Sequence, residues 1–161
     1  MLRAAALLAA VSLVMALPAA AASDAAAAKS VTIRVFVIAV TRTVKDVPPK
    51  TLNLGEHTKG DTMTGTSILR NAVRQFGKPK GARVGTSSFV NVTLSARMAK
   101  TDAVARIPGG TVHAHGVGEI GPNPKVPVVG GTGRYAGATG LVEGRVLPNG
   151  QQLNILRLRV P

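Results

Sequence analysis

The stretch GGTGRYAGATG, from Gly130 to Gly140, decides the fold of this chain. It follows the run KVPVV and holds five glycines in eleven residues. Two interpretations compete: a loop that cradles a phosphate, or a tight turn between two strands. Gly131, Gly133 and Ala136 do match the dinucleotide-binding pattern G-x-G-x-x-A after a strand.

The residues that follow favour the turn. A dinucleotide loop should open a helix and lead to an acidic residue about 20 positions on. Further glycines, with Thr139 and Val142 between them, disfavour a helix, and the remaining residues have the pattern of a hairpin. The glycines are therefore predicted to supply positive φ angles and tight bending at a barrel corner. These structural glycines are Gly130, Gly131, Gly133, Gly137 and Gly140.

Alternating apolar residues predict strands along most of the chain. The clearest segments are Val31–Thr41, Met63–Val73, Val84–Met98 and Thr111–Ile120, followed by VPVV, ATGLVEGRVL and QLNILRLRV. The segment TDAVARI is interpreted as a lead into the turn PGG, and the last two strands are joined by PNG, a strong hairpin signal. Seven or eight short strands without a convincing helix indicate one all-β domain over residues 31–161, either a barrel or a sandwich.

The amino terminus has the pattern of a secretory signal peptide. Arg3 precedes an apolar run to Leu17, which is followed by Pro18 and an Ala-rich tract. Pro18 interrupts the run too soon for a transmembrane anchor, so the mature chain is expected to have no membrane span. We predict cleavage near Ala22, a flexible leader over residues 23–30, and a secreted or periplasmic location.

The composition limits the possible partners. The 161 residues carry a formal charge of +13, which attracts polyanions, but the basic residues are scattered rather than grouped in a block. Three Phe, one Tyr and no Trp offer few stacking platforms, which disfavours nucleic acid as a partner. Cysteine is absent, so no disulfide braces an exported chain.

Two segments resemble a known superfamily. PGGTVHAHG, Pro108–Gly116, followed by VPVVGGTGRYAGATGLVEGRV, Val126–Val146, resembles the carboxyl-terminal half of the allene oxide cyclase and dirigent barrel proteins. The segments KGD, Lys59–Asp61, and ARVGT, Ala82–Thr86, resemble that superfamily more weakly. The resemblance implies an eight-stranded antiparallel β-barrel with an apolar small molecule in its lumen. It also implies self-association as dimers or trimers and no need for a cofactor.

The first predicted strand departs from the superfamily. Members of both branches resemble one another in carrying a carboxylate there, a Glu in the oxylipin cyclases and an Asp in dirigent proteins. Here Val31–Thr41 has no carboxylate, and Arg34 is its only charge. Neither specific activity can be transferred to this chain. Arg34, Asp61 at the expected barrel mouth and Tyr135 in the glycine stretch remain as candidate ligand-binding residues.

Another candidate group lies on the predicted strand Thr111–Ile120. His113, His115 and Glu119 share one face of the strand, where they could polarise a carbonyl or relay a proton if that face is the lumen. The opposite face is small and apolar, which favours solvent for the histidines. An H-x-H pair can also begin a metal site, with His57 or an acidic residue as third ligand, but the ligand set is incomplete and no metal is predicted.

The sequence therefore predicts a secreted barrel that binds an apolar or aromatic small molecule, with a dirigent-like or cyclase-like activity as candidate chemistry. The alternative is a non-catalytic barrel that docks on acidic envelope components or other polyanions. Asn91 begins the sequon N-V-T, which matters only in a eukaryotic host.

Overall fold

A computed structural model describes residues 28–50 and 56–161 of the chain. The predicted signal peptide, residues 1–22, and most of the predicted leader lie outside the described residues. The described part forms eight strands and one short 3-10 helix. The strands are β1 (Lys29–Lys45), β2 (Thr62–Asn71), β3 (Arg83–Ser95), β4 (Met98–Ile107), β5 (Gly110–Glu119), β6 (Lys125–Gly131), β7 (Thr139–Val146) and β8 (Gln152–Val160).

Each strand pairs antiparallel with the next, and β8 pairs with β1, so the sheet closes into a barrel. Closure removes the free edges that an open sheet would expose. The prediction of an eight-stranded antiparallel barrel is confirmed, and the sandwich alternative is excluded. Among the described residues, no helix is both long enough and apolar enough to cross a membrane.

One predicted strand was wrong. The segment Val84–Met98 was expected to be continuous, but the structure ends β3 at Ser95 and begins β4 at Met98. Ala96 and Arg97 form the turn between them. The segment TDAVARI, expected to lead into a turn, therefore belongs to β4. This additional strand brings the total to eight.

Side chains alternate between the lumen and the outer wall along every strand, as the pleat requires. The barrel is filled at one end, which we call the floor, where β2 ends and β3 begins. A buried apolar cluster occupies the floor: Ile33, Val35, Leu69, Val84, Ile107, Val112, Val128, Tyr135, Ala138, Leu156 and Leu158. At the other end, where β1 ends and β2 begins, the described residues leave the lumen open, and we call this end the mouth.

The glycine-rich stretch closes the floor. It contains the 3-10 helix Gly133–Tyr135 and turns the chain from β6 into β7. Gly133 has φ of +59°, and a Cβ there would lie 2.3 Å from the carbonyl oxygen of Gly109. At Gly140, with φ of +138°, a Cβ would lie 2.0 Å from the carbonyl oxygen of Arg157. Only glycine fits at these two positions, since both the backbone angle and the close approach exclude a side chain.

Candidate functional site

The lumen holds a cavity of about 580 Å³ between the floor and the mouth. Ligand-binding cavities range from about 300 to about 1,000 Å³, so this volume suits a small organic molecule. Most of its wall is apolar. The apolar lining residues include Val35, Val37, Leu69, Ala103, Ala105, Val112, Ala114, Val126, Val142 and Leu156. Small residues on β4 and β5 keep the space open, because their side chains do not reach the barrel axis.

Polar side chains interrupt the apolar wall toward the mouth. Asn91 on β3 lines the cavity beside Thr101, its cross-strand neighbour on β4. The Oδ1 atom of Asn91 is buried and accepts no hydrogen bond from the described residues. A buried acceptor without a partner costs about 1–3 kcal/mol, so a turn of the amide into the cavity, where a ligand can donate a hydrogen bond to Oδ1, is favoured.

Arg42 supplies a positive charge to the cavity. It is the only charged residue among the described residues that line the cavity. Strict alternation along β1 would place residue 42 on the outer wall with Arg34. A β-bulge between Ala39 and Thr41 adds one residue and reverses the alternation, so Arg42 pairs with Gly65, whose neighbours Met63 and Ser67 also line the cavity.

Phe89 gives the lumen an aromatic surface. Phe89 lies opposite Gly65 on the neighbouring strand β2. A Cβ at Gly65 would lie 2.9 Å from the Phe89 ring and 2.6 Å from the carbonyl oxygen of Thr41. The absence of a side chain at Gly65 therefore leaves room for the ring beside β2. Phe89 lines the cavity at the same level as Arg42.

Asp61 lies at the mouth and is 3% exposed. Its Oδ1 accepts a hydrogen bond from the backbone N–H of Val47 at 3.0 Å, and its Oδ2 accepts one from Thr58 at 2.8 Å. The Val47 hydrogen bond, helped by Thr58 and His57, lowers the pKa of the Asp61 carboxyl despite its burial. Both carboxylate oxygens are thus used to fix the loop between β1 and β2. Asp61 is not among the described residues that line the cavity.

Tyr135 lies in the floor and is 1% exposed. Its hydroxyl donates a hydrogen bond of 3.0 Å to the carbonyl oxygen of Pro108. Burial raises the pKa of the phenol, and the nearby charge of Arg134 opposes that rise. The ring and its hydrogen bond join the glycine-rich stretch to the turn between β4 and β5. The structure thus places Tyr135 below the cavity, where it seals one end.

Arg34 lies on the outer wall, because its neighbours Ile33 and Val35 fill the lumen side of β1. Its backbone N–H donates a hydrogen bond to Oε1 of Gln75, and its carbonyl oxygen accepts one from Nε2 of the same side chain. The predicted ligand-binding role would require the side chain of Arg34 in the lumen, and the structure does not place it there.

His113, His115 and Glu119 lie on the outer face of β5, since Val112 and Ala114 occupy the lumen side. The Nδ1 atom of His115 lies 3.1 Å from the Oδ2 atom of Asp102, with both side chains well exposed. His113 contacts the hydroxyl of Thr111 at 3.1 Å. Within residues 28–50 and 56–161, no group of three His, Asp or Glu side chains converges on a possible metal site.

Sequence reasoning missed the three side chains that give the lumen its specific chemistry. Asn91 was noted only as the start of a sequon, Phe89 only as a strand residue and one of few aromatic residues, and Arg42 was not considered. The strand alternation of β3 could have placed Phe89 and Asn91 on one face, because they are two residues apart. No sequence signal marks the bulge at Val40, so the inward position of Arg42 could not be predicted.

Comparisons with known proteins support the fold. No family model and no curated protein sequence matches this chain. A pyocyanin demethylase structure is similar with a TM-score of 0.65 and 18% identity, over 80% of this chain and 99% of that one. A pterocarpan synthase dirigent protein is similar with a TM-score of 0.61 and 15% identity, over 94% of this chain and 98% of that one.

A second pterocarpan synthase dirigent protein has a TM-score of 0.55 and 12% identity, over 83% of this chain and 94% of its own. At these identities the likeness concerns the backbone. The chain therefore has the closed barrel fold of dirigent-like proteins, as its sequence motifs indicated.

Proposed function

We propose that this protein binds an apolar or aromatic small molecule in its lumen. The observation that carries the proposal is the open cavity of about 580 Å³, closed below by the floor and walled by valine, leucine and alanine. Water in such a space gains few hydrogen bonds, so an apolar ligand that replaces it is favoured. Similar barrels that are named as a demethylase and as dirigent proteins support a role in small-molecule chemistry.

A dirigent-like or cyclase-like activity is the chemistry that suits this lumen. No His, Asp or Glu is present among the described residues that line the cavity. Side chains of this wall can hold one conformer of a reactive molecule and exclude water from it, which accelerates or steers ring closure or coupling. Acid–base catalysis by His113 or His115 has no access to the cavity from the outer wall.

A fluorescence titration with N-phenyl-1-naphthylamine, an uncharged aromatic probe, tests the binding proposal. We expect saturable binding of one probe per chain, with an emission that rises and shifts to the blue. Competition by an apolar ligand recovered from a native extract would identify the natural class of molecule. A linear, non-saturating response would contradict the proposal.

A second candidate function is favoured by the distribution of charge. The floor end of the barrel carries exposed basic side chains at its three turns, at the start of β1 and at the end of β8: Lys29, Arg70, Arg74, Lys78, Lys80, Arg83, Arg106, Arg134 and Arg159. The described acidic residues lie near the mouth or midway along the strands, and none lies at the floor: Asp46, Glu56, Asp61, Asp102, Glu119 and Glu143. The floor can therefore dock the barrel on an acidic surface and leave the mouth free.

Vesicles with about one third anionic lipid test this candidate. Binding should weaken as salt rises past roughly 0.2 M, because the Debye length, about 8 Å at about 0.15 M, then shortens further and exposed charges are screened more strongly. Replacement of Arg74, Lys78 and Lys80 by Glu should abolish binding, whereas the same exchange at Arg97, Lys100 and Lys125 should weaken it much less. Equal losses in the two variants would show that total charge, rather than the floor, is responsible.

We also propose that the protein is exported and that the leader is removed near Ala22. The mass of the protein recovered from the culture medium or periplasm tests this, and a retained Met1–Ala22 segment would contradict it.

A further inference from the structure

The charge and the aromatic ring of the lumen lie on one side of its mouth, whereas the β8 side carries the uncharged polar residues Gln152 and Asn154. Arg42 on β1 and Phe89 and Asn91 on β3 lie on either side of β2, at the level of Gly65 and Met63. The lining of the opposite wall at that level is uncharged. A ligand that fills the cavity therefore meets an apolar surface at its inner end and a cation, an aromatic ring and a hydrogen-bond acceptor at its outer end.

Arg42 has no competing partner in the part of the chain that the structure describes. No described residue forms a hydrogen bond or ion pair with its guanidinium. A guanidinium that borders an apolar cavity and whose donors the described residues leave unused is well suited to a carboxylate or sulfonate. Asn91 adds a second requirement, because its buried Oδ1 accepts no hydrogen bond from the described residues and becomes available to a ligand when the amide turns into the cavity that Asn91 lines.

We propose that the lumen selects an anionic aromatic ligand, such as a ring-bearing carboxylate with a hydroxyl or amine substituent, and binds it in one orientation. The anionic group contacts Arg42, a ring packs on Phe89, the hydroxyl or N–H donates to Oδ1 of Asn91, and the apolar end points to the floor. This inference rests on the proposed lumen-binding function and names its ligand class.

Two probes that differ by one group separate the inference from the function on which it rests. N-phenyl-1-naphthylamine and 8-anilinonaphthalene-1-sulfonate share the same rings and the same N–H donor, but only the second carries an anion. The exchange Arg42→Gln should lower the affinity for the sulfonate about fivefold, the upper range for an exposed ion pair. It should leave the affinity for the uncharged probe within twofold, and Arg42→Lys should retain most of the sulfonate affinity.

A matched control removes the same charge elsewhere. Arg106 is exposed on the outer wall of β4, and Arg106→Gln should change neither affinity, because it lies away from the mouth. Asn91→Leu should weaken the uncharged probe, whose N–H is free to donate to Oδ1, and should weaken the sulfonate less, because its N–H already donates to its own neighbouring sulfonate. These variants can be compared by titration at two salt concentrations, where only sulfonate binding should fall as salt rises.

The outcomes are distinguishable. If the uncharged probe fails to bind, the proposed lumen-binding function fails as well. If it binds but Arg42→Gln leaves sulfonate binding unchanged, or lowers both probes equally, the inference is overturned and the binding function stands. A loss in Arg106→Gln as large as that in Arg42→Gln would also overturn the inference, because overall charge would then explain the effect.

Discussion

A phenyl ring placed in the lumen at position 103 should weaken ligand binding strongly without harming the fold. Ala103 lines the cavity on β4, opposite Phe89 on β3. The cavity measures about 580 Å³, and a benzene-sized ring needs a space of about 150 Å³. The exchange Ala103→Phe therefore occupies about a quarter of the cavity with a ring that packs beside Phe89.

The expected loss of affinity follows from the area that the ligand can no longer bury. A displaced aromatic ring loses contact over about 100 Å², around half the burial of an aromatic side chain. At about 25 cal/mol per Å² this amounts to about 2.5 kcal/mol, or an affinity about 70-fold lower. The free energy of unfolding should stay the same or rise, since the new ring fills empty space instead of displacing neighbours.

Fluorescence titration with N-phenyl-1-naphthylamine and thermal unfolding of the same samples measure both quantities. Val117→Phe is the matched control, because Val117 is 52% exposed on the outer wall of the adjacent strand β5. It adds the same ring outside the lumen and should leave the affinity unchanged. An unchanged affinity in Ala103→Phe, with the fold intact, would refute the reasoning that the cavity is the binding site.

Further predictions concern single buried groups. Tyr135→Phe removes the hydrogen bond to Pro108 and should lower the free energy of unfolding by about 1 kcal/mol and the Tm by about 3 °C. Because burial raises the pKa of the phenol, the wild type should also lose stability as the pH rises above about 10, and the variant should not. The pKa of Asp61 is lowered in the folded state, so its contribution to the free energy of unfolding is present above about pH 4 and is lost as the pH falls through the folded-state pKa. Circular dichroism during an acid titration should show this loss in the wild type and not in Asp61→Asn. Asn91→Leu removes a buried acceptor that has no partner among the described residues, so it should raise the free energy of unfolding, measured by urea titration, by about 1 kcal/mol. A free energy of unfolding below that of the wild type would show that Oδ1 accepts a hydrogen bond after all.

The strands with large apolar residues were predictable, because their alternation is strong. On β1, Ile33 and Val35 alternate with the exposed polar residues Thr32 and Arg34, and this alternation is enough to locate the strand. The strand β4 was not recognised, because its inward residues are as small as Ala103 and Ala105. A wall that must leave space for a cavity uses small residues there, and small residues give a weak periodic signal.

The charge of the cavity could not be predicted for a different reason. Alternation assigns a side chain to the lumen or the outer wall only while the pairing register is unbroken. The bulge between Ala39 and Thr41 breaks it within β1. Sequence reasoning consequently selected Arg34 as the first-strand charge of interest, whereas the structure brings Arg42 to the cavity.

Because the floor is packed, the described residues leave the lumen one opening, at the mouth. A ligand that enters must leave by the same route, so a bound ligand has to dissociate before the next one can bind. Narrowing the rim would then retard arrival and departure by an equal factor. Residence time could be tuned at that rim over a wide range while the equilibrium constant stayed fixed.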